Sequence, residues 1–296
     1  MMNRRDFVKN TALGSSALLL PLPHFAGTSK YKMGLQLFTV NEYMLKNAQQ
    51  TLAHVKALGY EDFEIFGFEP TKNTFYGIPS PDFKSLLDDM NLTASSGHFG
   101  FSSYLDKSME ELKTFVDQCI VGAKDLNLSY ITWPWIAPEQ RTQDNFKKMT
   151  ERLNLIGEQV NAAGLGFAYH NHGYEFEDYD GETGYDIILQ DTDTELVKLQ
   201  MDMYWVMHSA NFTPKELVAD QPGRVVMWHI KDMHKTSRDY TELGNGSIDY
   251  TKILPDPEQS GLEYYYIEQG GNFAENALKS VETSAIYFKK NLKKYL

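Results

Sequence analysis

Eight short apolar or alternating runs recur along the chain at a nearly regular interval, with helical stretches between them. The runs read MGLQLFT, DFEIFG, LTASSGH, SYITWPW, LGFAYHN, LVKLQMD, VVMWHIKD and EYYYIEQ. Their carboxyl ends lie about 28 to 37 residues apart, the length of one strand–helix unit in an eight-stranded barrel. Short strands that alternate with helices indicate parallel pairing. The sequence therefore predicts an α/β fold, a single (β/α)8 TIM barrel over residues 30–296.

The length and composition agree with one large domain. A barrel of this kind takes about 250 residues, and the chain has 296, of which 42% are hydrophobic. No low-complexity linker divides residues 30–296. A doubly wound open sheet is the structural alternative. The even spacing and the lack of a G-x-G-x-x-G motif favour the closed barrel.

Local signals mark several helix ends and one core residue. Ser80 and Thr213 each precede a proline that opens a helical pattern, which is typical of N-caps. Gly164 follows an apolar stripe of helical period and is predicted to end that helix. Cys119 lies in an amphipathic helical pattern and is expected in the core. Because it is the only cysteine, an internal disulfide and a thiolate-rich zinc site are excluded.

The chain is acidic, with a formal net charge of −12 at pH 7 and an isoelectric point near 5.1. Binding to nucleic acid or to an anionic membrane depends on clustered Lys and Arg, so the charge argues against both. A small neutral or weakly charged ligand is the better expectation. An oligomer is compatible with these features.

Residues 1–26 are typical of an export signal, with a basic start, a short apolar stretch, and then proline and small residues. The apolar stretch is shorter than the ~20 residues that a transmembrane helix needs. Arg4 and Arg5 are similar to the pair in twin-arginine signals, and the alternative is a chance basic pair in an ordinary secretory signal. Both predict a periplasmic or extracellular protein without stable membrane insertion after cleavage.

Polar residues recur at the carboxyl ends of the last four runs. Strand side chains alternate between two faces, and one face of a barrel strand points into the lumen. His170, Asp202, His229 and Glu268 all fall on that face or at its end, at the rim where barrel enzymes hold their active sites. Imidazole and carboxylate ligands suit Zn²⁺, Mn²⁺ or Fe²⁺, so these four residues predict one divalent metal site. Taken singly, Asp202 or Glu268 can instead cap a helix, and His229 can be a hydrogen-bonded barrel histidine.

The motifs LQLFTV, YHNHGYEF, MDMYW, HIKDM, LGNGSIDY and YIEQ resemble those of the sugar phosphate isomerase/epimerase group of xylose isomerase-like barrels. The resemblance covers essentially all of the chain after the signal. It implies a single metal held by Glu, Asp, His and Glu from strands five to eight. Asp202, His229 and Glu268 match the last three, and His170 stands where the first glutamate is expected.

The resemblance also implies that Glu64 and His98, at the ends of the second and third runs, line the substrate pocket. The alternation of side chains along each strand agrees, because it places both residues on the inward face. Lys231 shares a face with His229 and is expected to stabilise an oxyanion or to transfer a proton. Its alternative role is a salt bridge to a barrel carboxylate.

Further candidates follow the fourth, fifth and sixth runs. His172 is expected to reach the pocket as a catalytic residue and Glu175 as a substrate-binding residue, whereas Glu177 is expected to be a solvated loop charge. Aromatic rim residues can stack on a sugar ring or pack between loops. The aromatic candidates for sugar contact are Trp133, Trp135 and Trp205.

The resemblance implies a metal-dependent isomerase or epimerase that forms an enediolate, with Glu268, His172 or Lys231 as the base. Relatives that epimerise use two metal-bound glutamates on opposite faces of the substrate, and here His170 takes one of those places. One carboxylate fewer leaves the cation a stronger Lewis acid, which favours elimination. A lyase acting on a 3-keto-glycoside or keto-sugar is therefore an alternative.

Export argues against a phosphorylated substrate, because sugar phosphates are mostly cytoplasmic, so a free keto-sugar or an oxidised glycoside is expected. A non-catalytic, exported sugar-binding protein is a second alternative. Abasic-site endonucleases share this barrel, but the acidic charge and the lack of additional His and Glu ligands oppose a nuclease.

Overall fold

The fold is a closed barrel of eight parallel strands. The computed structural model describes residues 30–296, and the predicted export signal over residues 1–26 lies outside the described residues. The strands of the barrel, labelled β1 to β8, are Gly34–Gln36, Asp62–Ile65, Thr93–His98, Tyr130–Trp133, Gly166–His170, Lys198–Asp202, Val225–Ile230 and Tyr264–Ile267. Each pairs with its neighbours in sequence, and β8 pairs with β1 to close the barrel. The predicted TIM barrel is confirmed.

Several strands end sooner than the sequence runs that predict them. β1 stops at Gln36, because the chain turns into a 3-10 helix over Leu37–Val40. The Gln36 side chain accepts a hydrogen bond from the backbone N–H of Phe38 at 3.0 Å and caps this turn. Lys231 and Glu268 likewise follow the last residues of β7 and β8. These polar residues therefore begin the loops at the rim.

Helices connect the strands. In the described part of the chain the α-helices, labelled α1 to α10, are Asn41–Ala57, Ser80–Asp89, Met109–Asp125, Gln143–Ala162, Gly184–Asp191, Met203–Ser209, Pro214–Asp220, Tyr250–Ile253, Pro257–Ser260 and Ala277–Asn291. Asn47 has non-helical dihedral angles, so α1 is kinked there. None of the helices described has both the length and the hydrophobicity that a membrane crossing requires.

Two of the three predicted helix boundaries are confirmed. Thr213 caps α7 together with Glu216, and Gly164 lies just past α4 with a φ of +81°, a conformation that glycine adopts without strain. The predicted Ser80 cap is wrong, since Ser80 is the first residue of α2 itself. Its hydroxyl instead donates to the carbonyl oxygen of Asn73 at 2.8 Å and fastens the preceding hairpin.

Apolar packing forms two regions. The larger one includes the fully buried Cys119, which confirms its predicted place in the core. Ala168 and Met227, in the smaller one, lie two residues before His170 and His229, on the same strand faces. This apolar floor inside the barrel consists of Tyr130, Ala168, Val226, Met227 and Tyr266. The polar residues of the rim therefore rest on a packed base.

The loop after β7 is fastened to one buried carboxylate. Oδ2 of Asp232 accepts hydrogen bonds from the backbone N–H groups of Gly244 and Gly246 at 2.8 and 3.1 Å. Oδ1 accepts from those of Met233 and Ile248 at 2.8 and 3.2 Å. Short hairpins stiffen the loops after β2, β5 and β7 as well. The rim is therefore built from ordered connections.

We expect Gly34→Ala to destabilise the barrel by about 3 kcal/mol or more, because the added methyl group would overlap the carbonyl oxygen of Tyr265 on β8. The measurement is the free energy of unfolding in urea. Gly100→Ala is the matched control, since a methyl group there meets nothing within 4 Å. Its stability should change by less than about 0.5 kcal/mol, and an equally mild effect at Gly34 would contradict the tight β1–β8 packing.

Candidate active site

The four predicted metal ligands lie at the carboxyl ends of β5 to β8. His170 and Asp202 are the last residues of β5 and β6, His229 is the last but one of β7, and Glu268 follows β8. The strand register places Asp202 opposite His229. All four are buried. The barrel thus brings together residues that are far apart in sequence.

These residues have the donor chemistry of a divalent metal site. Ligand atoms of Asp202, His229 and Glu268 lie within 4.8 Å of one another, as do those of His98, His170 and His229. His170 Nε2 is 3.8 Å from Asp202 Oδ2, and His170 Nδ1 is buried with no hydrogen-bond partner among the residues described. Two imidazoles and two carboxylates suit Zn²⁺, Mn²⁺ or Fe²⁺. The residues therefore fit a divalent cation.

Lys231 lies between two of the candidate ligands. Its Nζ is 2.7 Å from Asp202 Oδ2 and 2.9 Å from Glu268 Oε2. Both contacts are ion pairs at hydrogen-bond distance. Burial alone would lower the pKa of Lys231, but Asp202 and Glu268 raise it, so the amine stays protonated. The salt bridge that the sequence left as an alternative is present, and it joins two carboxylates.

Glu64, on β2, is a buried hub. Its two oxygens lie 2.6 to 3.0 Å from polar side-chain atoms of Gln36, Ser96, His98, Gln200 and His229. Burial alone would raise the pKa of Glu64, but His98 and His229 hold it well below its ordinary value. Glu64 therefore stays ionised and orients its neighbours. Gln36 and Gln200 were not among the candidates from sequence, although Gln200 shares the inward face of Asp202.

His229 is held between two carboxylates. Its Nε2 lies 2.6 Å from Glu64 Oε2 and its Nδ1 lies 2.5 Å from Glu268 Oε2. Burial would lower the pKa of His229, but Glu64 and Glu268 raise it to about 9. The imidazolium therefore donates to both carboxylates, and a cation at Nδ1 would displace that proton while Glu64 keeps the ring oriented. Glu64 thus directs Nδ1 of His229 toward Glu268.

A cavity of about 420 Å³ opens beside these residues. Its charged and imidazole lining consists of His98, His170, His172, Lys231 and Glu268. Aromatic rings form much of the remaining wall, from Phe38, Phe66, Phe99, Trp135 and Tyr240. Nδ1 of His172 has no hydrogen-bond partner in the described part of the chain. Burial, and next the charge of Lys231, lower the pKa of His172 well below its ordinary value, so its imidazole is neutral.

The three tryptophans predicted as candidates for sugar contact have different surroundings in the structure. Trp135 is 40% exposed and lines the cavity. Trp133 is fully buried, and its indole N–H donates to the carbonyl oxygen of Trp135 at 2.9 Å. Trp205 packs beside His172, with 5.8 Å between the ring centroids. The cavity lining includes Trp135, whereas Trp133 and Trp205 lie behind it.

Glu175 is buried in the loop after β5. Its Oε1 accepts a hydrogen bond from the Tyr169 hydroxyl at 2.7 Å, and its Oε2 accepts one from the backbone N–H of His172 at 2.8 Å. Burial raises the pKa of Glu175 to about 7. Glu175 therefore holds the His172 backbone in place from behind the cavity wall, while Glu177 is exposed.

The comparison with known families agrees with this architecture. The family model described as a xylose isomerase-like TIM barrel matches residues 52–269, which is most of the chain. The chain belongs to the xylose isomerase-like TIM barrel family. Among curated proteins, none matches it.

Solved structures of xylose isomerase-like barrels superpose on most of this chain. A sugar phosphate isomerase/epimerase from Parabacteroides distasonis is 26% identical, with a TM-score of 0.79 over 90% of this chain and 96% of that one. A second one from the same organism is 24% identical, with a TM-score of 0.75 over 89% and 99%. The IOLI protein with a bound zinc atom is 15% identical, with a TM-score of 0.68 over 90% and 99%. At 24% and 15% identity, the likeness to the second and third structures shows the fold alone.

In this xylose isomerase-like barrel, we expect Glu64→Gln to weaken divalent-metal binding about 10- to 100-fold, because Glu64 orients His229. The barrel should stay folded, since a glutamine keeps the size of the side chain. The measurement is the dissociation constant for Zn²⁺ or Mn²⁺ in competition with a chelating dye. Circular dichroism checks the fold.

Asp62 provides the matched control, because it is a buried carboxylate on the same face of β2, two residues before Glu64. Asp62→Asn should change the metal affinity less than about twofold, as expected for an independent site. Asp202→Ala, which removes a candidate ligand, sets the lower limit of the metal affinity. If Glu64→Gln bound the metal with wild-type affinity, metal binding by His229 would not depend on its contact with Glu64.

We expect the stability of the barrel to depend on the ionisation of Glu175. Its pKa is about 7 in the folded chain against an ordinary value of 4.5, so its favourable contribution is complete below pH 4.5 and is lost as the pH rises through 7. Relative to Glu175→Gln, which cannot titrate, the wild type should lose about 3 kcal/mol of unfolding free energy over that range. Urea unfolding of both proteins between pH 4.5 and 8 measures this, and a pH-independent difference would refute it.

Proposed function

We propose that the protein is a divalent-metal-dependent isomerase or epimerase of non-phosphorylated keto-sugars. The observation that carries the proposal is the convergence of Asp202, His229 and Glu268 beside a cavity that His172 and Lys231 line. Membership of the family supports an enzyme that modifies sugars. The 26%-identical structure from Parabacteroides distasonis, a sugar phosphate isomerase/epimerase, supports the reaction class.

The charges of the cavity favour a sugar without phosphate. Among the described lining residues, Lys231 is the only Lys or Arg, and two carboxylates already contact its ammonium group. A phosphate dianion is bound best by cationic groups that are available to its oxygens. The export proposed for residues 1–26 supports the same substrate class, because sugar phosphates are mostly cytoplasmic.

The side chains divide the chemistry between them. A divalent cation held by His170, Asp202, His229 and Glu268 would supply Lewis acidity that stabilises negative charge on sugar oxygens. We assign to His172, whose imidazole lines the cavity and is held neutral because burial lowers its pKa, the removal of the proton from the carbon next to the carbonyl group. The electron pair of that C–H bond then forms the double bond of the enediolate.

Two cavity residues complete the proposed cycle. The protonated Lys231 donates a hydrogen bond to the sugar oxygen that gains negative charge. His172 then returns its proton to the neighbouring carbon, while the hydroxyl proton moves from the adjacent oxygen to the former carbonyl oxygen, which gives isomerisation. Return of the proton to the same carbon from the other side, after the sugar reorients, gives epimerisation. Glu268 is a weaker base than an ordinary carboxylate, since burial would raise its pKa but Lys231 and His229 lower it.

A lyase is the second candidate, favoured by the imbalance of carboxylates around the cavity. Within the described chain, Glu268 is the only carboxylate of its lining, and the rest of its ionisable wall consists of His98, His170, His172, Lys231 and Tyr240. A second carboxylate to return the proton on the opposite face is therefore lacking there. Loss of a β-oxygen from the enediolate, with Lys231 protonating the departing oxygen, gives elimination.

We expect deuterium from heavy water to enter next to the carbonyl group of a keto-hexose or a 3-keto-glycoside when Zn²⁺ or Mn²⁺ is loaded, and a chelator to abolish the exchange. The measurement combines proton NMR of the sugar with metal analysis of the protein. An unsaturated product would identify the lyase. If neither exchange nor elimination occurred across a broad panel of keto-sugars with the metal fully loaded, the result would favour the non-catalytic sugar-binding protein.

The assignment of His172 has its own variant. His172→Ala should slow exchange by about 10²-fold or more, as removal of a general base does, while the metal content stays the same. His54→Ala, which removes an exposed histidine from α1, is the matched control and should exchange at the wild-type rate. An unchanged rate in His172→Ala would assign proton removal to another residue.

A further inference from the structure

A second cavity adjoins the one described above. It has a volume of about 380 Å³ and lies between the start of α1 and the loop that follows β8. Phe38 and Gly270 line both cavities, so the two share a wall. Neither cavity alone exceeds the lower half of the ~300–1,000 Å³ range of small-molecule sites. The two cavities, together called the cleft, have a combined volume of about 800 Å³, which is room enough for two linked rings.

The walls of the second cavity are fixed by hydrogen bonds. The backbone N–H of Gln269 donates to the Thr39 hydroxyl at 3.1 Å and joins the loops that follow β8 and β1. The Gln269 side chain donates to the carbonyl oxygen of Gly271 at 2.9 Å. The backbone N–H of Ala274 donates to Glu242 Oε1 at 2.9 Å. The cavity is therefore preformed and not a gap between loose loops.

Exposed aromatic rings stand along the cleft. Phe38, at the junction of the two cavities, is 41% exposed, and its ring meets that of Phe66 edge to face at 4.9 Å. Trp135, in the wall of the first cavity, is 40% exposed. Tyr43 and Phe273 add rings to the second cavity. Such surfaces bind flat apolar faces, including the C–H face of a pyranose or an aromatic ring.

The charge of the second cavity selects for a neutral occupant. Of the described residues that line it, none is Lys, Arg or His, and the single carboxylate is that of Glu42. A phosphate or carboxylate group would find no cation among these lining residues, and the ammonium group of Lys46, outside the lining, lies 5.6 Å from the centroid of the Tyr43 ring. Asn41 and Asn276 supply amide groups that can bind hydroxyl groups.

We propose that the second cavity is a subsite for the neutral group linked to the reacting keto-sugar, so that disaccharides and aryl glycosides that carry a keto group are better substrates than free monosaccharides. The proposal rests on the function proposed above, because the first cavity must hold the reacting ring. It extends that function by naming what lies beyond the ring. Phe38 separates the two units, and Tyr43 and Phe273 receive the second one.

Binding measurements test the subsite independently of catalysis. The probes are glucose, galactose and xylose, each compared by titration calorimetry with its α- and β-p-nitrophenyl glycosides and with cellobiose, lactose or xylobiose. We expect at least one linked compound to bind ten-fold or more tightly than its free sugar. No gain for any linked compound would overturn the subsite.

Variants of α1 test whether the second cavity is responsible for the gain in affinity. Glu42→Trp fills the second cavity and Tyr43→Ala removes one of its rings, so both should bring the affinity ratio of linked to free sugar close to one. Leu45 is 62% exposed and lies on the same helix outside the lining, so Leu45→Trp and Leu45→Ala are the matched controls and should keep the wild-type ratio. A ratio that survives Glu42→Trp would place the second unit elsewhere.

The two proposals fail in different ways. Deuterium exchange of a free keto-sugar without any binding gain for linked compounds would support the isomerase and overturn the subsite. A binding gain that Glu42→Trp abolishes, without exchange or elimination, would support the subsite and overturn the isomerase.

Discussion

A chain of buried ion pairs determines the geometry of the rim. It runs from Glu64 through His229 to Glu268 and on through Lys231 to Asp202, with contacts between 2.5 and 2.9 Å. Charges withdrawn from water persist only where partners neutralise them and bind them. Because the members belong to β2, β6 and the ends of β7 and β8, the chain also joins strand ends across the barrel. Removal of one member leaves its neighbour charged and buried, so the network holds together as a unit.

The fold was predictable because both of its periodicities are local. The two-residue alternation and the regular spacing of the runs depend on near neighbours in sequence, and both appear in the barrel. The strand ends were less predictable. β1 gives way at Leu37 to a 3-10 turn that the Gln36 side chain caps, and Ser80 bonds to Asn73 instead of capping α2. Such choices depend on contacts that form only after the strands have assembled.

The alternation of side chains along each strand also predicted which residues lie at the rim, but it could not reveal their hydrogen-bond partners. Inward direction follows from the alternation along one strand, whereas the contacts of Glu64 with Gln200 and His229 cross the barrel. Those contacts depend on strand register, on barrel closure and on the length of each side chain. The sequence thus identified Lys231 as an inward residue, without showing that its ammonium group would lie between two candidate metal ligands.

The position of Lys231 gives the rim an internal counter-ion. Without it, His229 would offset only the charge of Glu268, and the buried carboxylate of Asp202 beside it would oppose the folded state. Lys231 offsets both charges from within the chain, so the barrel can complete its folding while it is metal-free. For the metal site that we propose, folding and metal loading are then two independent stages. Under that proposal, the compartment that would supply the cation is not fixed by the compartment in which the chain folds.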